Sequence, residues 1–179
     1  MDEIPEVVAS ERVFDGVKLR VRVDTLRTVA GAQHRFEAVE YGNAVVLVPE
    51  DGDGSLLMVR QYRHAVGEWL LELPAGGIDE RDASPEAAAL RELREETGYR
   101  GSLTRIGGAF LAPGYSDEYQ HFFVAQDLVE DPLVADEEED LSMERVPPAE
   151  ALRLIDTGAI RDAKTIAALL IYQRWLARG

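Results

Sequence analysis

The chain has 179 residues, of which 46% are hydrophobic, enough for one globular domain with a buried core and a small appended element. Its 19 basic and 34 acidic residues give a net charge of −15, which excludes general affinity for nucleic acid or an anionic membrane. The absence of cysteine excludes disulfides and thiolate chemistry. No apolar run approaches the roughly 18 residues of a membrane span, and the acidic N-terminus lacks a signal sequence, so we expect a soluble, cytoplasmic protein.

The first forty residues predict a small antiparallel β subdomain. Apolar and charged residues alternate through "VKLRVRVDTLRTV", and turn signals lie at Asp15-Gly16 and in the stretch from Ala30 to Gln33. The alternation places four apolar side chains on one strand face: Val17, Leu19, Val21 and Val23. A change in composition before Asn43 predicts a domain boundary, with residues 1–42 as the N-terminal subdomain and 43–179 as the main domain.

The main domain begins with two strands and a well-marked helix. The segments Asn43–Pro49 and Ser55–Arg63 flank an "EDGDG" turn and predict a hairpin. Ser84 is a candidate N-cap, Pro85 suits the first helical turn and Gly98 is a C-cap signal, so we predict a helix over residues 85–97.

Strands and helices continue to alternate in the second half, which favours a layered α/β domain. Strands are predicted on both sides of the Pro113-Gly114 turn, followed by an acidic loop, "ADEEEDLSMERV". A short helix at residues 148–156 and a final amphipathic helix at residues 162–178 complete the predicted elements.

Three glutamates crowd one face of the predicted helix in "RELREETGYR": Glu92, Glu95 and Glu96. Like charges three and four residues apart repel each other, so this face needs a compensating cation. Hard cations such as Mg²⁺ prefer carboxylate oxygens. The alternative is a solvated acidic face paired with Arg91 and Arg94.

The segment "LPAGGIDERDASPEAAALRELREETGY" resembles the Nudix box, and the match is nearly complete in its helical half. The resemblance extends to "ELPAG" before the box, "APGYSDE" after it and the late acidic loop, covering most of residues 43–179. The loop half departs from the pattern, because the glutamate expected there is absent. A one-residue insertion leaves Asp82 as a partial substitute, beside Ala83.

The flanking motifs resemble those of the ADP-ribose pyrophosphatase group, which implies an α/β/α sandwich with a mixed central sheet. They also imply Mg²⁺-dependent cleavage of a nucleoside diphosphate sugar, with Mn²⁺ as a possible substitute. By this resemblance Glu92, Glu96 and the Ala75 carbonyl are metal ligands, and Glu95 supports or shares a metal. The acidic loop supplies Glu137 as the general base, with Glu139 near a metal; Glu138 is an alternative in another loop register.

The same resemblance implies substrate contacts and a homodimer. Arg63 is expected to contact the phosphates, with Arg60 as its competitor, and Glu118 is expected to contact a ribose hydroxyl. The N-terminal strands correspond to a subdomain exchanged between subunits, where Phe36 and Tyr41 are candidates for holding adenine. We assign no role to His64 or His121.

Three other functions fit parts of this pattern. A Nudix enzyme could act on GDP-mannose, ADP-glucose or a dinucleotide instead, and a catalytically silent Nudix domain could bind a nucleotide as a sensor. A simple divalent-ion binding domain would leave "ELPAG" and "APGYSDE" unexplained.

Overall fold

The computed structural model describes residues 4–133 and 141–178, which contain ten strands and three helices. The strands are β1 (Glu6–Asp15), β2 (Arg20–Arg27), β3 (Gln33–Glu40), β4 (Asn43–Pro49), β5 (Leu56–Arg63), β6 (Glu68–Glu72), β7 (Ala75–Gly77), β8 (Tyr99–Phe110), β9 (Tyr119–Glu130) and β10 (Leu141–Val146). The helices are α1 (Pro85–Thr97), α2 (Pro148–Asp156) and α3 (Ala163–Leu176). The chain divides into two compact units. The N-terminal unit comprises Met1–Asn43 and Phe110–Tyr119, and the larger unit comprises Ala44–Ala109 and Gln120–Gly179.

The larger unit is organised around a four-stranded sheet with the order β7-β4-β9-β8. In β4, Val46 and Val48 pack into one hydrophobic cluster, whereas Val45 and Leu47 pack into another. Strand β9 divides its side chains in the same way. Because both sheet faces are covered, these strands are continuous apolar runs rather than alternating ones.

Different elements cover the two faces of this sheet. On one face lie α1 residues Ala88, Ala89 and Leu93. The other face packs against α2, α3 and a second sheet with the order β10-β5-β6. The predicted layered α/β architecture is therefore confirmed. Among the described residues, no helix is both long and apolar enough to cross a membrane.

The caps of α1 explain why the helix was predictable. The Ser84 hydroxyl accepts the Ala87 N–H at 3.2 Å, and Gly98 has the left-handed φ of 77° that glycine adopts without strain. The predicted bounds of α1 and α2 are confirmed, and α3 begins after the N-cap Asp162.

Two predictions for the larger unit are wrong. Strands β4 and β5 do not form a hairpin, since they lie in different sheets and only an isolated bridge joins Glu50 to Leu56. Both strands are buried along most of their length; β4 pairs with β7 and β9, whereas β5 pairs with β6 and β10. The end of the predicted acidic loop is strand β10, which pairs antiparallel with β5. Because this pairing joins segments that are far apart in sequence, the acidic stretch itself did not indicate a strand.

In the N-terminal unit, β1, β2 and β3 form an antiparallel sheet, which confirms the predicted strand set. The predicted apolar face is only partly correct, because Val17 and Leu19 precede β2 and Val17 is fully exposed. The Gly16 N–H donates to the Leu19 carbonyl at 3.0 Å, so these residues form the turn. The most buried side chain of β2 is instead Asp24, which accepts hydrogen bonds from Ser10 and Arg22.

Candidate active site

Helix α1 directs two glutamates against the backbone of β7. Glu92 and Glu96 are each only 8% exposed. One Glu96 carboxylate oxygen accepts the Ala75 N–H at 3.3 Å. A Cβ atom at Gly76 would collide with the Glu92 carboxyl group, so the absence of a side chain at Gly76 lets the carboxylate approach the strand. Two acids and the Ala75-Gly76 backbone thus meet at one place.

Arg91 compensates the repulsion between neighbouring acids of α1. Its Nη1 donates to Glu92 at 2.7 Å and to Glu95 at 2.8 Å. Its Nε and Nη2 donate to the two oxygens of Asp82 at 3.2 and 2.9 Å, and Nη2 also reaches the Gly77 carbonyl at 2.9 Å. The hydrogen bond with Asp82 contributes most to raising the Arg91 pKa. One guanidinium therefore links the loop, β7 and the acidic face of the helix.

Asp82, the partial substitute predicted in the loop half of the box, pairs with Arg91. Its side chain is 5% exposed and holds Arg91 through a forked pair of hydrogen bonds. The hydrogen bond from Arg91 is the main reason that the Asp82 pKa is lowered, and the Asp79 N–H donates to Asp82 at 2.8 Å as well. An acid of the loop before α1 therefore anchors Arg91, whereas the one-residue insertion in that loop stays a prediction.

The donor set at this place is made of oxygen atoms, as hard divalent cations require. Glu92 and Glu96 supply carboxylates beside β7, and the Ala75 carbonyl belongs to the same strand. Over residues 4–133 and 141–178, no three acidic or histidine side chains already adopt a metal-holding arrangement. Part of the Arg91 pairing with Glu92 and Glu95 would have to yield to a cation. The predicted base Glu137 and its neighbours Glu138 and Glu139 lie outside the described residues.

The two arginines that competed for the phosphate role have different surroundings. Arg63, at the end of β5, donates to both carboxylate oxygens of Glu72 at 2.8 and 2.6 Å. These hydrogen bonds are the main reason that the Arg63 pKa is raised, and the nearby charge of Glu96 contributes to it. Arg60 instead pairs with Glu144 of β10 at 2.6 Å. Of these two arginines, Arg63 is therefore the one whose charge is shown to interact with an acid of α1, Glu96.

The predicted adenine and ribose contacts all belong to the N-terminal unit. Phe36 is 51% exposed and Tyr41 is 46% exposed. Asp117 accepts the Tyr41 N–H at 2.9 Å, which ties the end of β3 to the "APGYSDE" loop that contains Glu118. The structure thus joins Tyr41 to a loop more than seventy residues away in sequence.

A buried charge cluster escaped the sequence analysis. Glu72 is 1% exposed and contacts Lys164 of α3 as well as Arg63. Two sequence features could have indicated this cluster: an acid at the end of an apolar strand, and one of the chain's two lysines close to the N-cap Asp162. His121 is also buried, with Nδ1 2.7 Å from Arg105, and burial lowers its pKa.

Known proteins share both this sequence pattern and this fold. The chain is 33% identical over 171 residues to an ADP-ribose pyrophosphatase of Bacillus subtilis, covering 94% of this chain and 92% of the relative. It is 38% identical over 168 residues to one of Mycobacterium tuberculosis, covering 92% and 81%. GDP-mannose pyrophosphatases match over a smaller share, such as that of Pectobacterium atrosepticum, at 34% identity over 76% of each chain.

A solved structure extends the likeness to three dimensions. The crystal structure of an ADP compounds hydrolase superposes with a TM-score of 0.88 at 29% identity, covering 98% of this chain and 95% of the other. The predicted mixed α/β Nudix fold is confirmed by this match. The NUDIX domain model matches residues 40–169, the range that contains α1, β7 and Asp82. The chain therefore belongs to the Nudix family.

Proposed function

We propose that the protein is a Nudix pyrophosphatase that hydrolyses the diphosphate bond of ADP-ribose or a related nucleoside diphosphate sugar. Its products are a nucleoside monophosphate and a sugar phosphate. The observation that carries the proposal is the convergence of Glu92 and Glu96 on the Ala75-Gly76 backbone. The relatives named ADP-ribose pyrophosphatase, which align over nearly the whole chain, support this substrate class.

The cofactor in this proposal is Mg²⁺, which Mn²⁺ can replace. Glu92, Glu96 and the Ala75 carbonyl would hold the metal, with Glu95 in support. When bound, such an ion neutralises diphosphate charge and lowers the pKa of a coordinated water. By the resemblance, Glu137 is the general base that takes the proton from the attacking water, and Glu139 is placed near the metal. Arg63 contacts a diphosphate oxygen, which its forked guanidinium suits.

Substrate recognition in this proposal uses the N-terminal subdomain, residues 1–42, together with Glu118, in a homodimer. Phe36 and Tyr41 hold the adenine, and Glu118 contacts a ribose hydroxyl. Support comes from the apolar side chains that this unit leaves exposed: Val7, Val13, Phe14, Val17, Val29 and Phe36. Light scattering at micromolar concentration is expected to show a dimer. A monomer that still hydrolyses ADP-ribose would contradict the dimer but not the reaction.

We propose the cytoplasm as the compartment, because a chain without cysteine needs no oxidising environment. A second candidate specificity is GDP-mannose, favoured by relatives named GDP-mannose pyrophosphatase. ADP-glucose, a dinucleotide, or a sensor that binds a nucleotide without turnover are further alternatives.

The deciding experiment is a screen over ADP-ribose, GDP-mannose and ADP-glucose with Mg²⁺ or Mn²⁺, in which added alkaline phosphatase frees phosphate from the two phosphomonoester products but not from the intact diphosphate. ADP-ribose is expected to give the highest kcat/KM. Glu96→Gln is the control, and it should lose activity on the order of a thousandfold, because a metal ion contributes several kcal/mol to such catalysis. Binding of ADP-ribose without turnover of any substrate would favour the sensor instead.

The proposed base is tested separately with Glu137→Gln, Glu138→Gln and Glu139→Gln. Each variant is assayed from acidic to alkaline pH, and the base variant should lose the rising limb of the pH profile. A loss of less than tenfold in kcat for Glu137→Gln would exclude Glu137 as the base.

A further inference from the structure

Glu72 is surrounded by charged side chains. This buried carboxylate accepts two hydrogen bonds from Arg63 and one from Lys164. Lys164 is itself only 8% exposed, and its ammonium group also lies 2.9 Å from Asp162. Two cations and two acids therefore balance formally at the junction of β5, β6 and α3.

Stability alone does not account for such a cluster. Removing ions from water is costly, and an apolar cluster of similar volume is often as stable or more so. What the ion pairs add is a fixed orientation of the paired side chains. Arg63 uses Nε and Nη2 for Glu72, so its geometry is fixed by a fork rather than a single contact. Among the described residues, no partner engages the Nη1 edge of Arg63, and the side chain remains 37% exposed.

The same turn of α3 also binds the segment between β6 and β7, which leads to the metal-ligand candidates. The Leu73 N–H donates to the Thr165 hydroxyl at 2.9 Å, and the Thr165 N–H donates to Asp162 at 3.0 Å. Leu73 lies two residues before Ala75, whose N–H binds Glu96. The first turn of α3 is therefore connected both to Arg63, through Glu72, and to the backbone beside Glu96.

We propose that Lys164 is a positioning residue: it binds Glu72 Oε2, the oxygen that also accepts from Arg63 Nη2, so that Glu72 presents the Arg63 guanidinium to a diphosphate oxygen. This inference rests on the proposed function. A carboxylate bound by two cations cannot rotate freely, so the arginine bound to it keeps one orientation. Without Lys164, Glu72 and Arg63 move together and the phosphate contact becomes imprecise. Such misplacement lowers the rate even when every reacting group is present.

The kinetic test compares Lys164→Met, Lys164→Arg and Arg174→Met. Arg174 is an exposed cation of the same helix, α3, so Arg174→Met is the matched control. We expect Lys164→Met to lower kcat/KM by about tenfold to a hundredfold, Lys164→Arg to restore part of the loss, and Arg174→Met to resemble the wild type. Wild-type kcat/KM in Lys164→Met would overturn the proposal.

A double-mutant cycle with Arg63→Gln separates positioning from a general structural role. If Lys164 acts through Arg63, the double variant should be no worse than Arg63→Gln alone. Multiplicative losses would overturn the proposal, as would wild-type kcat/KM in Arg63→Gln. If Lys164→Met does not fold, Asp162→Asn replaces it, because asparagine still caps α3 while weakening the hold on Lys164. Asp162→Asn is expected to lower kcat/KM less than Lys164→Met does, and it should cause no further loss when combined with Arg63→Gln.

A readout independent of turnover is the hydrogen exchange of the Arg63 Nε–H, assigned in NMR spectra by its loss in Arg63→Gln. We expect exchange to be faster in Lys164→Met, because the Nε–H bond to Glu72 opens more often without Lys164, and unchanged in the control Arg174→Met. Unchanged exchange in Lys164→Met would overturn the positioning role. Absence of wild-type turnover would contradict only the proposed function, since the exchange measurement needs no substrate.

Discussion

The two ion clusters of the larger unit have opposite compositions. Around Arg91, one cation is shared by three acids: Asp82, Glu92 and Glu95. Around Glu72, one carboxylate is shared by the cations of Arg63 and Lys164, and Asp162 completes a formally neutral set. The first cluster keeps a negative excess beside β7, whereas the second keeps none.

The difference shows how this acidic chain can handle an anionic diphosphate. A surplus of carboxylates is useful where metal ions must arrive, because carboxylate oxygens bind them. A neutral, buried set is useful where an arginine must keep one orientation, because unpaired buried charge is costly. Negative charge is thus in excess where metal ions are expected, and charge is balanced where an arginine must keep one orientation. The predictions below test each half of this comparison.

Arg91→Gln should have the largest effect on stability. It leaves Asp82 and Glu92 without their cation in a nearly buried place, which costs about 3–5 kcal/mol of unfolding free energy. Urea unfolding with and without Mg²⁺ measures it. Mg²⁺ should stabilise the variant more than the wild type, since the freed carboxylates can bind it. Equal Mg²⁺ stabilisation of both proteins would contradict the view that Arg91 substitutes for a cation.

Glu72→Gln should lower the unfolding free energy by about 3 kcal/mol at neutral pH, because two buried cations lose their shared acid. Burial alone would raise the Glu72 pKa, but the hydrogen bonds from Arg63 and Lys164 outweigh it and hold it below the ordinary 4.5. A lowered folded-state pKa means that this stabilisation is fully present above pH 4.5 and is lost as the pH falls through the lowered value. Unfolding curves from pH 7 to pH 3 should therefore converge for the two proteins at the acidic end.

Gly76→Ala tests the approach of Glu92 to β7. The added methyl group meets the Glu92 carboxyl group, whereas Gly77→Ala meets nothing within 4 Å and serves as the control. We expect Gly76→Ala to weaken the apparent Mg²⁺ affinity by roughly tenfold to a hundredfold, measured as the Mg²⁺ dependence of turnover or by calorimetry. The same affinity in both alanine variants would exclude this contact from the metal site.

Asp82→Asn should have the smallest effect, about 1.5 kcal/mol of unfolding free energy, because the neutral amide cannot accept the forked ion pair from Arg91. Asp79→Asn is the matched control, since its carboxylate lies 4.0 Å from Arg91 and is half exposed. A larger loss for Asp79→Asn than for Asp82→Asn would show that this loop anchors Arg91 through Asp79 instead of Asp82.

Local signals predicted much of the fold and the acidic face. The caps at Ser84 and Gly98 defined α1 to the residue, because capping acts over a few neighbouring positions. The helical spacing of Glu92 and Glu96 likewise placed them together. The separation of β4 from β5 and the strand character of Leu141–Val146 were missed, because both depend on pairing between distant segments.

The sequence by itself determined the Nudix family, the helix carrying the glutamates and the need for a compensating cation. Periodicity, capping and motif spacing are properties of neighbouring residues, so they can be read without a fold. Only the tertiary structure decided that Arg91 pairs with the acids of α1, that Asp82 of the preceding loop anchors it, and that Lys164 meets Glu72 from 92 residues away. Such contacts arise when sheets and helices pack, and packing joins side chains irrespective of their order in the chain.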